Sequence, residues 1–314
     1  MPRIDLSLRE PTYEAVIVGE EIGPVEVLAD DHYLRQGTFA VDDHRPWHTS
    51  ADAHPMGQLV PSTAVLRDLV AHFCTIYDAS RVVGLHQREE VWFHRPIPLG
   101  TRMRYTGRYI DKYERRGKGY VVFEAEARDA EGGELLVRQI STEIMRIPEN
   151  VTLGAGSAAP PEDRVAGTWT PGVEPAARAH ADLAPGTPIV PLTKVAYQDQ
   201  MSVFSGCNRQ WSNIHTDIDV ATKAGFRDTL AQGAMETCWS GELLARFFGE
   251  AWLTSGWIKQ VYLKPVYRGD AITLRGVVNG LERGDDGLRL TLEVWAENQD
   301  GVMTAAGWAS GRLE

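Results

Sequence analysis

Two stretches of the chain carry apolar residues at helical spacing, and each is followed by four runs suited to β-strands. In PSTAVLRDLVAHFCTIYDA, Val65, Leu66, Leu69, Val70, Phe73 and Ile76 fall on one face, which predicts a helix from Pro61 to about Ala79. Pro61 and Ser62 suit its entry. A second helix is predicted from Ala234 to about Ala251. Segments 88–95, 102–113, 119–129 and 135–147 are rich in β-branched and aromatic residues, as are 257–264, 271–280, 288–297 and 302–313. Leu288, Leu290, Leu292 and Val294 alternate with Arg289, Thr291, Glu293 and Trp295, the pattern of a strand buried on one face. Short connections such as ARDAEGGELL favour antiparallel neighbours over parallel crossovers. An antiparallel sheet curling around one central helix is the α+β arrangement that buries both apolar faces.

The two sets are copies of one another. VWFHRPIPLGTRMRYTG aligns with QVYLKPVYRGDAITLRG at an offset of 169 residues, placing Pro96 on Pro265, Gly100 on Gly269, Met103 on Ile272 and Gly107 on Gly276. At the same offset Glu124 meets Glu293 and Gly132 meets Gly301. Between the copies, residues 148–191 are rich in Pro, Gly and Ala without an apolar period, a composition that buries little surface and reads as a connection across the outside. The expected organisation is an N-terminal domain over 1–150, a linker over 151–184 and a C-terminal domain over 185–314. The copies are expected to superpose, with their sheets pairing edge to edge about a pseudo-two-fold axis.

Composition narrows the function classes. The 314 residues are 43% apolar and 24% charged, as in a globular protein, with a formal net charge of −11. That sign repels phosphate backbones and anionic lipid surfaces, so neither nucleic acid nor membrane is an expected partner. Apolar runs fall short of the ~20 residues of a spanning helix. The opening MPRIDLSLRE has no apolar core of a signal peptide, and a cytoplasmic location is expected. Cys74, Cys207 and Cys238 suit neither a disulfide framework nor a zinc site.

The segment SVFSGCNRQWSNIHTDIDVATKAGFRDTLAQGAM resembles the active-site segment of the MaoC-like, (R)-specific enoyl-CoA hydratase family, which has the hot-dog fold. That pattern runs from an aromatic residue through Asp-x-Asn-Pro-x-His-x-Asp and a following Ala to an apolar-x-His-Gly turn. Phe204, Ile214, His215, Asp217, Ala221 and Gly233 match it in order, with His215 and Gly233 18 residues apart. The first copy, with GLHQREEVWFHRPIPLGTRMRYTGRYIDKYERRGKGYVVFEAE, resembles the degenerate half of double hot-dog members. The resemblance implies a double hot-dog protein, structural and acyl-binding in its N-terminal copy and catalytic in its C-terminal copy. It implies reversible hydration of an enoyl thioester, with coenzyme A or an acyl carrier protein as part of the substrate, without metal or redox cofactor, in a homodimer or higher homo-oligomer. His215 would act as base, titrating near its ordinary value, and the Gly233 amide would donate to the thioester oxygen.

Two departures qualify that chemistry. The catalytic Asp of the family falls on Gln210, the Asn on Ser212 and the Pro on Asn213. A Gln amide orients a water but carries no proton near neutral pH. The first copy keeps Asp43 and His48 at the family's spacing, within Asp43-His44-Arg45-Pro46-Trp47-His48, but reads Leu59-Val60-Pro61 where the Gly turn is expected, and proline has no N–H to donate. The loss at Gln210 leaves three rivals open: a hot-dog thioesterase, a lyase for a nucleophile other than water, and a non-catalytic acyl-binding subunit.

Trp211, Asn213, Asp217, Asp43 and His48 are expected around the substrate, although Asp217 also has the position of a helix N-cap. Asp42, Asp43, His44, His48, Asp52 and His54 invite a metal reading, which Pro46 opposes by breaking any helix that would align His44 with His48. Arg45 would instead turn that pocket toward a carboxylate or phosphate. Lys112, Arg115, Arg116 and Lys118, at a predicted hairpin tip, form a basic run suited to docking an anionic acyl carrier, or serve only as a solvated tip.

Overall fold

The computed structural model describes residues 7–78, 84–146, 165–206, 212–284 and 287–313. Along the N-terminal half run β1 (Glu21–Leu28), α1 (Asp31–Val41), α2 (Pro46–Thr49), β2 (Leu59–Val60), α3 (Val65–Val70), β3 (Leu85–Phe93), β4 (Ile97–Pro98), β5 (Arg102–Arg115), β6 (Lys118–Asp129) and β7 (Leu135–Arg146). The C-terminal half follows with β8 (Leu192–Val195), α4 (Gln198–Phe204), α5 (Ile218–Lys223), α6 (Gly233–Phe248), α7 (Ala251–Ser255), β9 (Trp257–Tyr262), β10 (Ala271–Gly284), β11 (Gly287–Glu297) and β12 (Met303–Arg312).

Ten of these strands form one antiparallel sheet in the order β1-β5-β6-β7-β3-β9-β12-β11-β10-β8. The order reads the same from either end once each strand is replaced by its copy, so the halves meet edge to edge at β3 and β9. There Glu90 pairs with Lys259, flanked by Arg88 with Val261 and Trp92 with Trp257. Glu90 and Lys259 are also counterparts at the repeat offset, which puts the pseudo-two-fold axis between them. Their side chains form an ion pair at 3.3 Å, and Trp257 Nε1 donates to Glu90 Oε1 at 3.0 Å.

The repeat extends to backbone detail. Gly100 and Gly269 have φ of 94° and 84°, a conformation that favours glycine, so both copies use the same turn into β5 and β10. Gly107 pairs with Ala125 and Gly276 with Val294, and bulges follow Ala127 and Ala296 at matching positions. One alignment slips: the left-handed glycine of the first copy's β6–β7 turn is Gly133 (φ 77°), so Gly301 (φ 71°) corresponds to it rather than to Gly132.

The eight long strands lie within three or four residues of the ends predicted for them. The two copies differ in the helix each sheet wraps. In the C-terminal half α6 is long and nearly all buried, with Trp239, Leu243, Leu244 and Phe247 in the core. The first copy's helix is broken into 3-10 turns on both sides of α3 and ends by Thr75, short of the expected Ala79. Its following backbone is taken by the N-terminal segment: Arg9 N–H donates to Ile76 O at 3.0 Å and Asp78 N–H to Arg9 O at 2.8 Å. The pattern also gave no sign of β1, α1, β8 and α4. β1 and β8 are the outermost strands, with few buried positions and therefore little apolar alternation.

Residues 165–191 pack more closely than their composition suggests, first against Trp295 and then, through Ala179 N–H to Phe247 O at 3.0 Å, against the end of α6. Trp169 stacks on Trp295 at 6.2 Å with the Arg275 guanidinium over its ring, Ala166 N–H donates to Glu293 Oε2 at 2.9 Å, and Ile189 is buried. Among the described residues no helix is long and apolar enough to cross a membrane.

Candidate active site

His215 lies in the loop between α4 and α5, and local hydrogen bonds set that loop's shape. Asn213 Oδ1 accepts from His215 N–H at 2.8 Å and from Thr216 Oγ1 at 3.3 Å. Asp217 caps α5, its Oδ1 accepting from Asp219 N–H at 2.9 Å. Asn213 and Asp217, both expected near substrate, thus spend side-chain oxygens on the turn that presents His215. Gln198 Nε2 adds a bond to His215 O at 2.9 Å. Gln210 and Trp211 lie outside the described residues.

The imidazole Nδ1 of His215 is 2.7 Å from Leu230 O. A carbonyl only accepts, so Nδ1 carries the proton and Nε2 keeps a lone pair. Leu230 is three residues before Gly233, which opens α6. The first-turn amides of a helix have no intrahelical acceptor, and they lie at the positive end of its dipole. One side-chain-to-backbone hydrogen bond therefore holds an imidazole lone pair and a set of donor amides in one small region. Gly233 is required there: an added Cβ would come 2.5 Å from the ring of Tyr262, whose hydroxyl is tied to Thr237 Oγ1 at 2.7 Å.

His215 does not titrate near its ordinary value, as its sequence context suggested. Burial pushes it down to about 4, only partly opposed by the Leu230 carbonyl, and the charge of nearby His86 lowers it further. The ring is neutral at physiological pH. In the first turn of α6, burial likewise pushes Glu236 up to about 8, although Thr304 Oγ1 donates to it at 2.6 Å.

The motif in the first copy is closed. His48 repeats the geometry of His215, with Nδ1 2.8 Å from Leu59 O. Its Nε2, however, accepts from Trp47 Nε1 at 2.8 Å and lies 3.4 Å from Asp43 Oδ2. Asp43 is fully buried, and Arg45 Nε donates to its Oδ1 at 2.8 Å. Burial alone would raise Asp43, but the Arg45 guanidinium and then His48 hold it well below the usual carboxylate range. Asp43 and His48, expected beside the substrate from their spacing, thus have their polar atoms engaged by protein groups. Pro61 is not the cause. It is the N-cap, like Gln232, and Ser62 is the first helical residue, so the donor position survives while Trp47 and Arg45 seal the pocket.

The basic run is similarly narrowed. Arg116 (φ 51°) and Gly117 (φ 76°) form the tight turn between β5 and β6. Lys112 Nζ donates to Val16 O at 3.1 Å and sits over the Tyr13 ring, while Lys118 is buried. Arg115 and Arg116 alone of the four are exposed at the tip without such packing. The acidic and histidine cluster of 42–54 separates into His44 beside Asp42 (3.5 Å), His48 beside Asp43, and His54 beside Glu250 (3.7 Å). Among the described residues no group of three or more His, Cys, Asp or Glu side chains is placed to hold a metal ion.

One neighbour of the site was not foreseen. His86, on β3 of the other half, packs its ring edge-on against Tyr262 at 5.0 Å, on the residue that also covers Gly233. The preceding Leu85 packs into a small apolar cluster with Ile214 and Leu230, which flank His215 in sequence and in space. The candidate site is therefore built from both halves.

Residues 175–298, within the C-terminal half, match the family model described as MaoC like domain. Solved structures extend the likeness to nearly the whole chain at the level of fold. A MaoC-like dehydratase is 18% identical with a TM-score of 0.75, covering 96% of this chain and 100% of its own. A MaoC domain protein dehydratase from Chloroflexus aurantiacus is 12% identical with a TM-score of 0.72, covering 99% and 100%. A Mycobacterium tuberculosis protein described as having a double hotdog fold is 13% identical with a TM-score of 0.65, covering 96% and 98%. The fold of this chain is the double hot-dog. No curated protein sequence matches the chain.

Proposed function

We propose that the C-terminal half is an acyl thioester hydratase or dehydratase, adding water across a trans-2-enoyl thioester or removing it from the 3-hydroxy compound. The MaoC-like domain supports the reaction class. The observation that carries the reading is the bond from His215 Nδ1 to Leu230 O at 2.7 Å, three residues before Gly233. It leaves Nε2 as a base beside the amides that would receive the thioester oxygen.

In the forward direction, water attacks Cβ while His215 Nε2 takes its proton. Negative charge passes to the thioester oxygen, where the Gly233 amide and the α6 dipole receive it. A proton then reaches Cα. An imidazole held near 4 is a weak base in the empty site, and its proton affinity rises as enolate charge develops beside it. The substrate includes coenzyme A or an acyl carrier protein, with Arg115 and Arg116 suited to an anionic carrier, and no metal or redox cofactor takes part. Cytoplasmic location and homo-oligomeric assembly complete the reading.

The test is a panel of short, long and polycyclic enoyl-CoA thioesters, followed by loss of conjugated absorbance and by free-thiol release. Loss of absorbance without thiol release is the expected result. Thiol release from saturated acyl-CoA would make the protein a thioesterase, and binding without turnover would make it an acyl-binding subunit.

A further inference from the structure

A β-bulge in β3 places an imidazole where strand alternation would not. The pairing of β3 with β7 advances from Arg88↔Thr142 to His86↔Glu143, so Gln87 is the extra residue. With regular alternation from the inward-facing Glu89, residue 86 would face outward; one inserted residue returns it to Glu89's face. His86 accordingly contacts Tyr262 inside the fold. β9 pairs with β12 from Trp257 to Tyr262 without a shift. This re-aimed side chain belongs to the first copy.

Glu89 supplies the reason for a charge at that position. It is fully buried, and among the described residues neither carboxylate oxygen has a hydrogen bond of good geometry. Its close cationic neighbour is His86, with Nε2 2.9 Å from Oε2. A buried carboxylate without a counter-charge is costly, and an imidazolium at His86 offsets that cost. His86 Nε2 also lies 3.0 Å from Arg88 O, so it carries a proton in either state. Nδ1 is then the nitrogen whose proton can exchange, and among the described residues it has no protein hydrogen bond.

We infer that His86, set inward by the bulge at Gln87 and held as a cation by Glu89, is the general acid of the His215 site and replaces the family carboxylate lost at Gln210. The inference rests on the hydratase reading above. The step balances: the oxygen of water bonds to Cβ, one water proton goes to His215 Nε2, and the His86 Nδ1 proton goes to Cα. His215 then loses its proton to solvent and His86 regains one; dehydration runs the same transfers in reverse.

The electrostatics agree with this division. Burial alone would lower His86, but Glu89, and beyond it Glu143 on β7, raise it above its ordinary value. Burial raises Glu143, against the pull of His86. Among the described residues, the other titratable groups near His86 are the Tyr262 hydroxyl, pushed well up by burial, and His215 itself. Two histidines whose environments drive them apart make a neutral base and a charged acid at one pH.

The experiment compares pH–rate profiles of wild type, His86→Gln and Glu89→Gln on an enoyl-CoA that wild type hydrates, with circular dichroism as a fold check. Absence of wild-type turnover on every thioester would remove the hydratase reading and this inference with it. Given turnover, wild type should lose activity on the alkaline side, above the ordinary histidine range. His86→Gln should lower kcat by ~10²-fold or more and abolish that limb, in line with the usual value of acid–base assistance. Glu89→Gln should move the limb to lower pH. A His86→Gln enzyme that keeps kcat or the alkaline limb overturns the inference. Should both variants fail to fold, wild-type kcat that stays level through the alkaline range overturns it, and a single-proton decline upholds it.

Discussion

His215 and His48 present the same ring nitrogen to the same kind of acceptor: Nδ1 is 2.7 Å from Leu230 O in one copy and 2.8 Å from Leu59 O in the other. The two differ at Nε2. In His48 it is occupied by the Trp47 indole N–H, whereas His215 carries no such bond among the described residues. Duplication therefore preserved the tautomer in both copies, and a neighbouring tryptophan closed one of them.

His215→Gln should remove turnover by at least ~10²-fold, because an amide cannot take the water proton. Thermal unfolding at neutral pH should show the variant folded. Full activity in a folded His215→Gln enzyme would make His215 a packing residue.

The depressed His215 also predicts an acid-sensitive fold. Its folded-state value, about 4, lies below the ordinary 6.5. The unfolded chain therefore binds the proton first, and stability is lost as pH falls from about 6.5 toward 4. At about 1.4 kcal/mol per unit, the upper bound is about 3 kcal/mol. Urea melts across that range should show a shallower slope for His215→Gln than for wild type.

Gly233→Ala should destabilise by about 1–3 kcal/mol, the usual cost of overpacking, because the new methyl meets the Tyr262 ring at 2.5 Å. Combining it with Tyr262→Ala should cost less than the two changes summed. A double-mutant cycle in denaturant reads this directly, and simple additivity would show that the ring yields.

Asp43→Ala should cost about 3–5 kcal/mol by leaving Arg45 with its buried partner removed, while kcat per folded molecule stays near wild type. A fall in kcat/KM without loss of stability would restore Asp43 to the substrate-binding role that its spacing suggests.

Gln210→Asp separates the remaining readings. In wild type it should give little gain, since His86 already supplies the proton; in a His86→Gln background it should recover part of the lost turnover. Gain in wild type alone would mean that the site lacks an acid as it stands.

The sequence by itself determined the double hot-dog plan. Strand periodicity and the offset of 169 placed eight long strands and the central helix of the second copy, because burial of one sheet face leaves a period-two signal and shared turns leave Gly and Pro at fixed positions. A spaced motif singled out His215 and Gly233 as candidates for the site. The outer strands β1 and β8 were not, since an edge that buries little has no strong alternation. Only the tertiary structure decided that Asp43 and His48 are sealed by Arg45 and Trp47, that Lys118 is buried, and that His86 stands beside the His215 region of the other half. Each depends on which groups meet across distance in the chain, and His86 also depends on one bulge that reverses its face. Residue type and spacing do not record that reversal, because it is set by hydrogen-bond register between strands.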